Sequence, residues 1–298
     1  MPHILVDTLK NGEKVRVFYT LSGNPKGIPV VYLHGGPGDP SQPLYKKQFD
    51  LKLYRLLLFD QRGCGKSEPL NHTEKNTTQH LLADIEKLRK MMKAEKWVVT
   101  GGSWGSALAL LYAIQRPTRV LGLIIRGVFD LDLDNSVMKS VYPEDDAKLR
   151  KLVRAKRSKD FLTKTSEILK DKKNGTRKNI IQLLNKPEPL HVFGKPKQDS
   201  FKTQETLAIL GIHYEMNRFF VSRNSIYDGL YRIQHIPLIM VEGRYDIVTP
   251  MKMAYSLSKR LPHADLRVVP SGHAFDEPAT LSALYKASKD MANKVHEQ

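Results

Sequence analysis

The chain has 298 residues, 41% of them hydrophobic and 27% charged, enough to bury a substantial core, and it carries a formal net charge of +17. Its apolar runs, such as Leu121–Ile125, are far too short to cross a bilayer, and Met1-Pro-His-Ile-Leu-Val-Asp7 lacks the basic-then-apolar pattern of a signal peptide. Cys64 is the only cysteine, which excludes an intramolecular disulfide and fits a cytoplasmic setting.

Val15–Tyr19 alternates and predicts a strand. Pro29–Leu33 and Tyr54–Phe59 are short buried strands, ending at His34-Gly-Gly-Pro-Gly38 and at Asp60-Gln-Arg-Gly-Cys-Gly-Lys-Ser67. Thr77–Lys93 has helical spacing, with Leu81, Leu82, Ile85, Leu88 and Met92 on one face. Trp97–Thr100 is a strand, Ser106–Gln115 a helix and Val120–Ile125 a strand. After a polar, helical middle come strand Pro237–Glu242, helix Pro250–Leu261, strand Leu266–Val269 and helix Ala279–Lys294. Strands alternating with helices imply βαβ units in a mainly parallel sheet with helices on both faces. The alternation stops between residues 131 and 230. The chain therefore reads as a core over residues 1–130 and 231–298, interrupted by a helical cap at 131–230, with Asn185–Lys202 as a loop inside the cap.

More than half of the charge excess is local. Lys148–Lys178 holds thirteen Lys and Arg residues against three acidic ones. The favoured reading is a solvated helical face; the sharper one is a patch for nucleic acid or another anionic surface, for which Phe161 is the only aromatic available to stack.

Gly101-Gly-Ser-Trp-Gly105 has G-x-S-x-G spacing between a strand and a helix, the context in which a serine is lifted out of a sheet as a nucleophile. The alternative for Ser103 is a plain helix N-cap. A serine nucleophile needs a base, and the base needs an orienting carboxylate. Downstream of the helical insertion, Asp246 and His273 each follow a strand, giving the order Ser, acid, His. The helix-initiating N–H of Trp104 and the N–H of Gly36 are candidate oxyanion donors, and Gly35 is a candidate substrate contact. Gly63-Cys-Gly-Lys-Ser67 looks like part of a P-loop, but Asp60 stands where its first glycine belongs. A thiol-nucleophile reading of Cys64 finds no histidine partner in the sequence. Asp60 and Arg62 read as residues that pin loops beneath the site.

Taken together, His34-Gly-Gly-Pro-Gly38, Asp60-Gln-Arg-Gly-Cys-Gly-Lys-Ser67, Gly101-Gly-Ser-Trp-Gly-Ser-Ala-Leu-Ala109 and Gly243-Arg-Tyr-Asp246 resemble the proline iminopeptidase (prolyl aminopeptidase) family of α/β-hydrolases. The resemblance implies release of an N-terminal proline from peptides, without metal or cofactor; the chain is expected to be a monomer or a homodimer. It makes Ser103 the nucleophile, His273 the base and acid, and Asp246 its orienting partner. In that family the cap reads the substrate amine through glutamates, one of them two residues before a His-Tyr-Phe segment. Here the segment is Ile209-Leu-Gly-Ile-His-Tyr-Glu-Met-Asn217: Gly211 takes the glutamate's place, Glu215 takes the phenylalanine's, and no second glutamate lies in Phe219–Leu230. A buried ammonium needs a paired anion. Glu215 is therefore a candidate amine contact, and the alternative is an esterase or amidase for small uncharged acyl substrates. An epoxide hydrolase would carry an aspartate at position 103. A binding protein using the basic cap is the remaining alternative.

Overall fold

The apolar runs form strands of a single eight-stranded sheet, ordered β1-β2-β4-β3-β5-β6-β7-β8, in a computed structural model that describes residues 2–131, 140–155, 158–186, 191–192 and 198–297. The strands are β1 (His3–Thr8), β2 (Lys14–Gly23), β3 (Ile28–Leu33), β4 (Tyr54–Phe59), β5 (Trp97–Ser103), β6 (Val120–Val128), β7 (Leu238–Gly243) and β8 (Asp265–Val269). From β4 to β8 neighbouring strands run parallel, whereas β2 pairs antiparallel with both β1 and β4. The central strands read as continuous apolar runs because both their faces are covered; Val30, Val31, Leu56, Leu57, Val98 and Val99 are fully buried. β1 carries no such run. It is an edge strand with Leu5 half exposed, so its pattern did not announce it.

Helix α1 (Thr78–Met91) starts where the Thr77 side chain accepts the His80 N–H, and it buries Leu81, Leu82, Ile85 and Leu88. Helix α2 (Trp104–Gln115) is apolar nearly all round and correspondingly buried from Trp104 to Ala113. These two cover one face of the sheet, while the C-terminal helix, given below as α8, covers the other with Leu284, Ala287, Met291 and Ala292. After β3 the chain adds β4 on one side, then crosses to add β5 on the other. The crevice between the C-terminal ends of β3 and β5 is thus the switch point where open α/β sheets place ligands.

Between β6 and β7 lie α3 (Pro143–Val153), α4 (Ser158–Lys170), α5 (Arg177–Leu184) and α6 (Phe201–Met216), with a small core of Leu169, Ile181, Ala208 and Ile212. Helix α6 begins at its Ser200 cap, so Phe201 and Lys202, expected to lie in a loop, are helical. Of that expected loop, residues 187–190 and 193–197 lie outside the described residues. Parts of the basic run are used internally. Arg150 pairs with Asp146 at 2.7 Å, and Arg177 bonds the Leu169 carbonyl and Glu205. Lys148, Lys151, Arg154, Lys172, Lys173 and Lys178 are exposed, whereas Lys156 and Arg157 fall outside the described residues. The fold closes with α7 (Lys252–Arg260) and α8 (Pro278–His296). Among the described residues no helix is long and apolar enough to cross a membrane.

Arg62, in the loop after β4, is fully buried. Its Nε and Nη2 donate to Asp84 at 2.7 and 2.6 Å, and Nη1 donates to the Lys75 carbonyl at 2.5 Å. Burial favours the uncharged forms of both partners; the fork-on-carboxylate geometry outweighs it at Arg62, whereas at Asp84 burial still holds the pKa above its ordinary 3.8. Arg62→Ala strands the Asp84 charge and is expected to lower unfolding free energy by about 3–5 kcal/mol in a urea titration.

Candidate active site

Ser103 ends β5 and occupies the N-cap position of α2 with φ +55° and ψ −128°, and its hydroxyl does not cap the helix. A plain capping serine would have extended backbone angles and accept a helical N–H, so this residue is held in a strained turn for another purpose. The turn is tight enough to require its glycines. A β-carbon on Gly101 would lie 2.3 Å from the Gly105 carbonyl oxygen, and one on Gly105 would lie 2.0 Å from that of Leu33. Among the described residues the Ser103 hydroxyl has no hydrogen-bond partner. Gly35 lies against it: a β-carbon there would sit 3.9 Å from Ser103 Oγ.

His273 Nδ1 lies 2.7 Å from Asp246 Oδ2. That bond places the proton of the neutral imidazole on Nδ1 and leaves Nε2 as an acceptor. Asp246 also accepts the N–H groups of Val248 and Thr249 at 2.8 and 2.7 Å, and the Thr249 hydroxyl at 2.7 Å. Burial acts to raise its pKa, but the His273 charge and hydrogen bond and the two bonds from Thr249 outweigh it, holding the carboxyl below its ordinary 3.8. The imidazole packs beside the end of β6, where a β-carbon on Gly127 (φ +51°) would come within 3.2 Å of its Cε1. The next residue, Val128, is the strand partner of Ser103. The serine at the end of β5 and the imidazole packed beside the end of β6 therefore share one rim of the sheet.

Trp104 opens α2 and is fully buried. Its indole N–H donates to Gln61 Oε1 at 3.1 Å, and Gln61 Nε2 donates to the His34 carbonyl at 2.9 Å. The Gln61 backbone N–H donates to His34 Nε2 at 2.8 Å, and His34 Nδ1 lies 3.0 Å from the Gly35 carbonyl. Burial lowers the pKa of His34 and keeps it neutral, as this pattern of one acceptor and one donor nitrogen requires. The glycine loop carrying Gly35 and Gly36 is thus braced to the residue after Ser103. Asp60 holds the next stretch by accepting Ser41 N–H and Oγ–H and Lys66 N–H, at 2.6–2.7 Å.

The cap closes over this rim. A β-carbon on Gly38 would lie 3.0 Å from the Thr206 carbonyl and 3.2 Å from Leu207 Cα of α6, and the Tyr214 ring packs 5.4 Å from that of Trp104. Gly211 lies between Leu207 and Tyr214 in α6, and a β-carbon added to it would meet nothing within 4 Å. Glu215 is exposed on the last turn of α6. Among the described residues no group of three or more His, Cys, Asp or Glu side chains is placed to share a metal ion.

The α/β-hydrolase fold pattern matches residues 28–276. A proline iminopeptidase of Neisseria meningitidis serogroup A is 36% identical over 293 residues, 95% of this chain and 94% of that protein. A probable proline iminopeptidase of Leptolyngbya boryana is 39% identical over 91% of this chain and 89% of its own length. The solved structure of a thermophilic esterase from Thermogutta terrifontis shares the fold at 18% identity, with a TM-score of 0.62 over 99% of this chain and all of that one.

The chain belongs to the proline iminopeptidase family of the α/β-hydrolase fold. It is an enzyme, a serine hydrolase of the prolyl aminopeptidase class. This family member has features that its motifs did not announce. Thr249 steadies the Asp246 carboxylate. Glu242 is fully buried, and its Oε2 accepts the Val128 N–H at 3.0 Å; burial, then the nearby Asp246 charge, push its pKa well above the ordinary range. Its sequence signal was a lone acid inside the apolar run Leu238–Gly243. The expectation that Cys64 lacks a histidine partner needs correction, because its sulfur lies 3.6 Å from His34 Nε2. That nitrogen already accepts the Gln61 N–H, and burial pushes the thiol well above its ordinary pKa.

The folded protein should therefore release almost no thionitrobenzoate from Ellman's reagent on the minutes scale, and one equivalent after denaturation; rapid native reaction would contradict the buried thiol. For Asp246 the lowered pKa means stability fully present above about pH 3.8 and lost as pH falls through the lower folded value. Asp246→Asn should accordingly show a shallower loss of stability than the parent below pH 4 in thermal melts.

Proposed function

We propose that the chain is an aminopeptidase that releases N-terminal proline through an acyl-enzyme on Ser103. The observation that carries this reading is a serine at φ +55° that caps nothing, on the strand beside a buried His273–Asp246 pair. Ser103 Oγ attacks the carbonyl carbon of the first residue while His273 Nε2 takes its proton. The oxygen of the tetrahedral intermediate becomes an anion and meets the N–H groups of Trp104 and Gly36. His273 then gives its proton to the departing amine as the C–N bond breaks. Water attacks the ester with His273 again as base, and proline leaves as its carboxylate while Ser103 regains its proton. Bracing of the glycine loop through Gln61 supports two donors positioned before the reaction begins.

The open space at Gly211 favours a second reading of the same machinery, an esterase or amidase for small uncharged acyl groups. Asp39, in the loop after β3, is a poor substitute for a cap glutamate. Burial, then the Asp199 charge, raise its pKa to about 7, so a large share of it is uncharged at neutral pH.

A panel of prolyl, alanyl and acetyl-prolyl p-nitroanilides with p-nitrophenyl acetate separates the readings. The expected result is the highest kcat/KM on the free-amine prolyl amide, with Ser103→Ala lowering kcat by about 10⁴-fold or more. Gly211→Glu should raise the preference for prolyl over acetyl-prolyl amide by roughly tenfold, as one added ion pair allows. Equal or faster ester cleavage by the parent protein supports the second reading instead.

A further inference from the structure

We infer that Arg126 is a positioning residue that ties the strand carrying Ser103 to the loop carrying His273. Arg126 lies in β6 as the strand partner of Gly102, the residue before Ser103. Its side chain lies across the face of that glycine, where a β-carbon would come within 2.7 Å of Arg126 Nε and 2.9 Å of Cζ. From there Nη1 donates to the His273 carbonyl oxygen at 2.6 Å, and the guanidinium carbon sits 5.8 Å from the ring centre of Phe275, two residues further on. One side chain thus spans from the strand end at Ser103 to the main chain of His273.

Asp246 fixes the His273 ring at Nδ1 but leaves the rest of the loop after β8 to other contacts. A histidine held only by its ring moves whenever that loop shifts. The Arg126 bond to the carbonyl supplies a second anchor on the same residue, and its far end is set by pairing with the strand that carries Ser103. Arginine suits this span because its planar guanidinium can donate along one edge while lying flat against Gly102 and Phe275. The geometry also gives Gly102 its own reason to be glycine. Gly101 and Gly105 are required by the turn, whereas Gly102 makes room for Arg126.

The assignment rests on the reading of Ser103 and His273 as nucleophile and base, and its test is chosen to be independent of the physiological substrate. Two measurements serve: the second-order rate at which a fluorophosphonate labels Ser103, and kcat and KM for p-nitrophenyl acetate. Arg126→Ala is expected to slow labelling and lower kcat by about 10²-fold, the penalty for a displacement on the order of 1 Å, with KM changed less than about threefold. Guanidinium chloride at non-denaturing millimolar concentration should restore a large part of the rate, and sodium chloride at the same ionic strength should not. If Arg126→Ala does not fold, Arg126→Lys, which keeps the charge but not the planar fork, is read by the labelling rate and kcat alone, without the rescue arm. Labelling at the parental rate in a folded variant, or a loss that guanidinium leaves unchanged, overturns the assignment. Parent protein that is labelled no faster than Ser103→Ala refutes the nucleophile reading instead.

Discussion

The N-terminus of α2 approaches the end of β3 so closely that one β-carbon on Gly105 would stand 2.0 Å from a backbone oxygen. This contact between the elbow and its neighbouring strand sets the position of everything else at the rim. It forces the backbone of Ser103 into the left-handed half of conformational space, where a non-glycine residue is strained by about 1–3 kcal/mol. The packing of α2, buried along nearly its whole length, opposes that strain. The same closeness brings the loop after β3 under Trp104, so that Gln61 can bridge the indole and His34 in one short network. A looser turn would release the serine and the glycine loop together.

Around this turn the fold places ionisable groups in environments that push them apart. Asp246 is buried yet surrounded by donors, and it stays an anion. Glu242, four residues earlier and equally buried, has one oxygen on a backbone N–H and the other without a partner among the described residues, and its acidity is suppressed. His34 is kept neutral by burial and hydrogen bonding, while His273 has an anion at one ring nitrogen. The two carboxyl groups are thereby pushed in opposite directions within one rim, because the proximity of like charge and the supply of hydrogen-bond donors differ at each.

The cap and the core divide the chemistry between them. The groups assigned to bond breaking in the proposed mechanism come from strand ends of the core, which a packed sheet holds rigidly. Above them lies α6, which docks on the glycine loop at Gly38 and on Trp104 through Tyr214. Gly211 in α6 has open space at its β-carbon, so a larger side chain fits there without displacing the strand ends.

The fold class was legible because each central strand is buried on both faces and so had to be written as an uninterrupted apolar run, and because Gly101–Gly105 spells a turn that only small residues permit. Edge strand β1, half solvated, had no such constraint and left no pattern. Ser103, Asp246 and His273 could be picked out by their places after strands in the order Ser, acid, His, since that is a property of chain order. Arg126, Glu242 and Gln61 could not, because their partners lie 147, 114 and 43 residues away along the chain; Thr249 acts within its own turn, three residues from Asp246, where no motif marks it. Local sequence determines which elements form and which face each one buries. The pairing of strands determines which distant side chains come within hydrogen-bond reach, and that is decided only when the sheet is assembled.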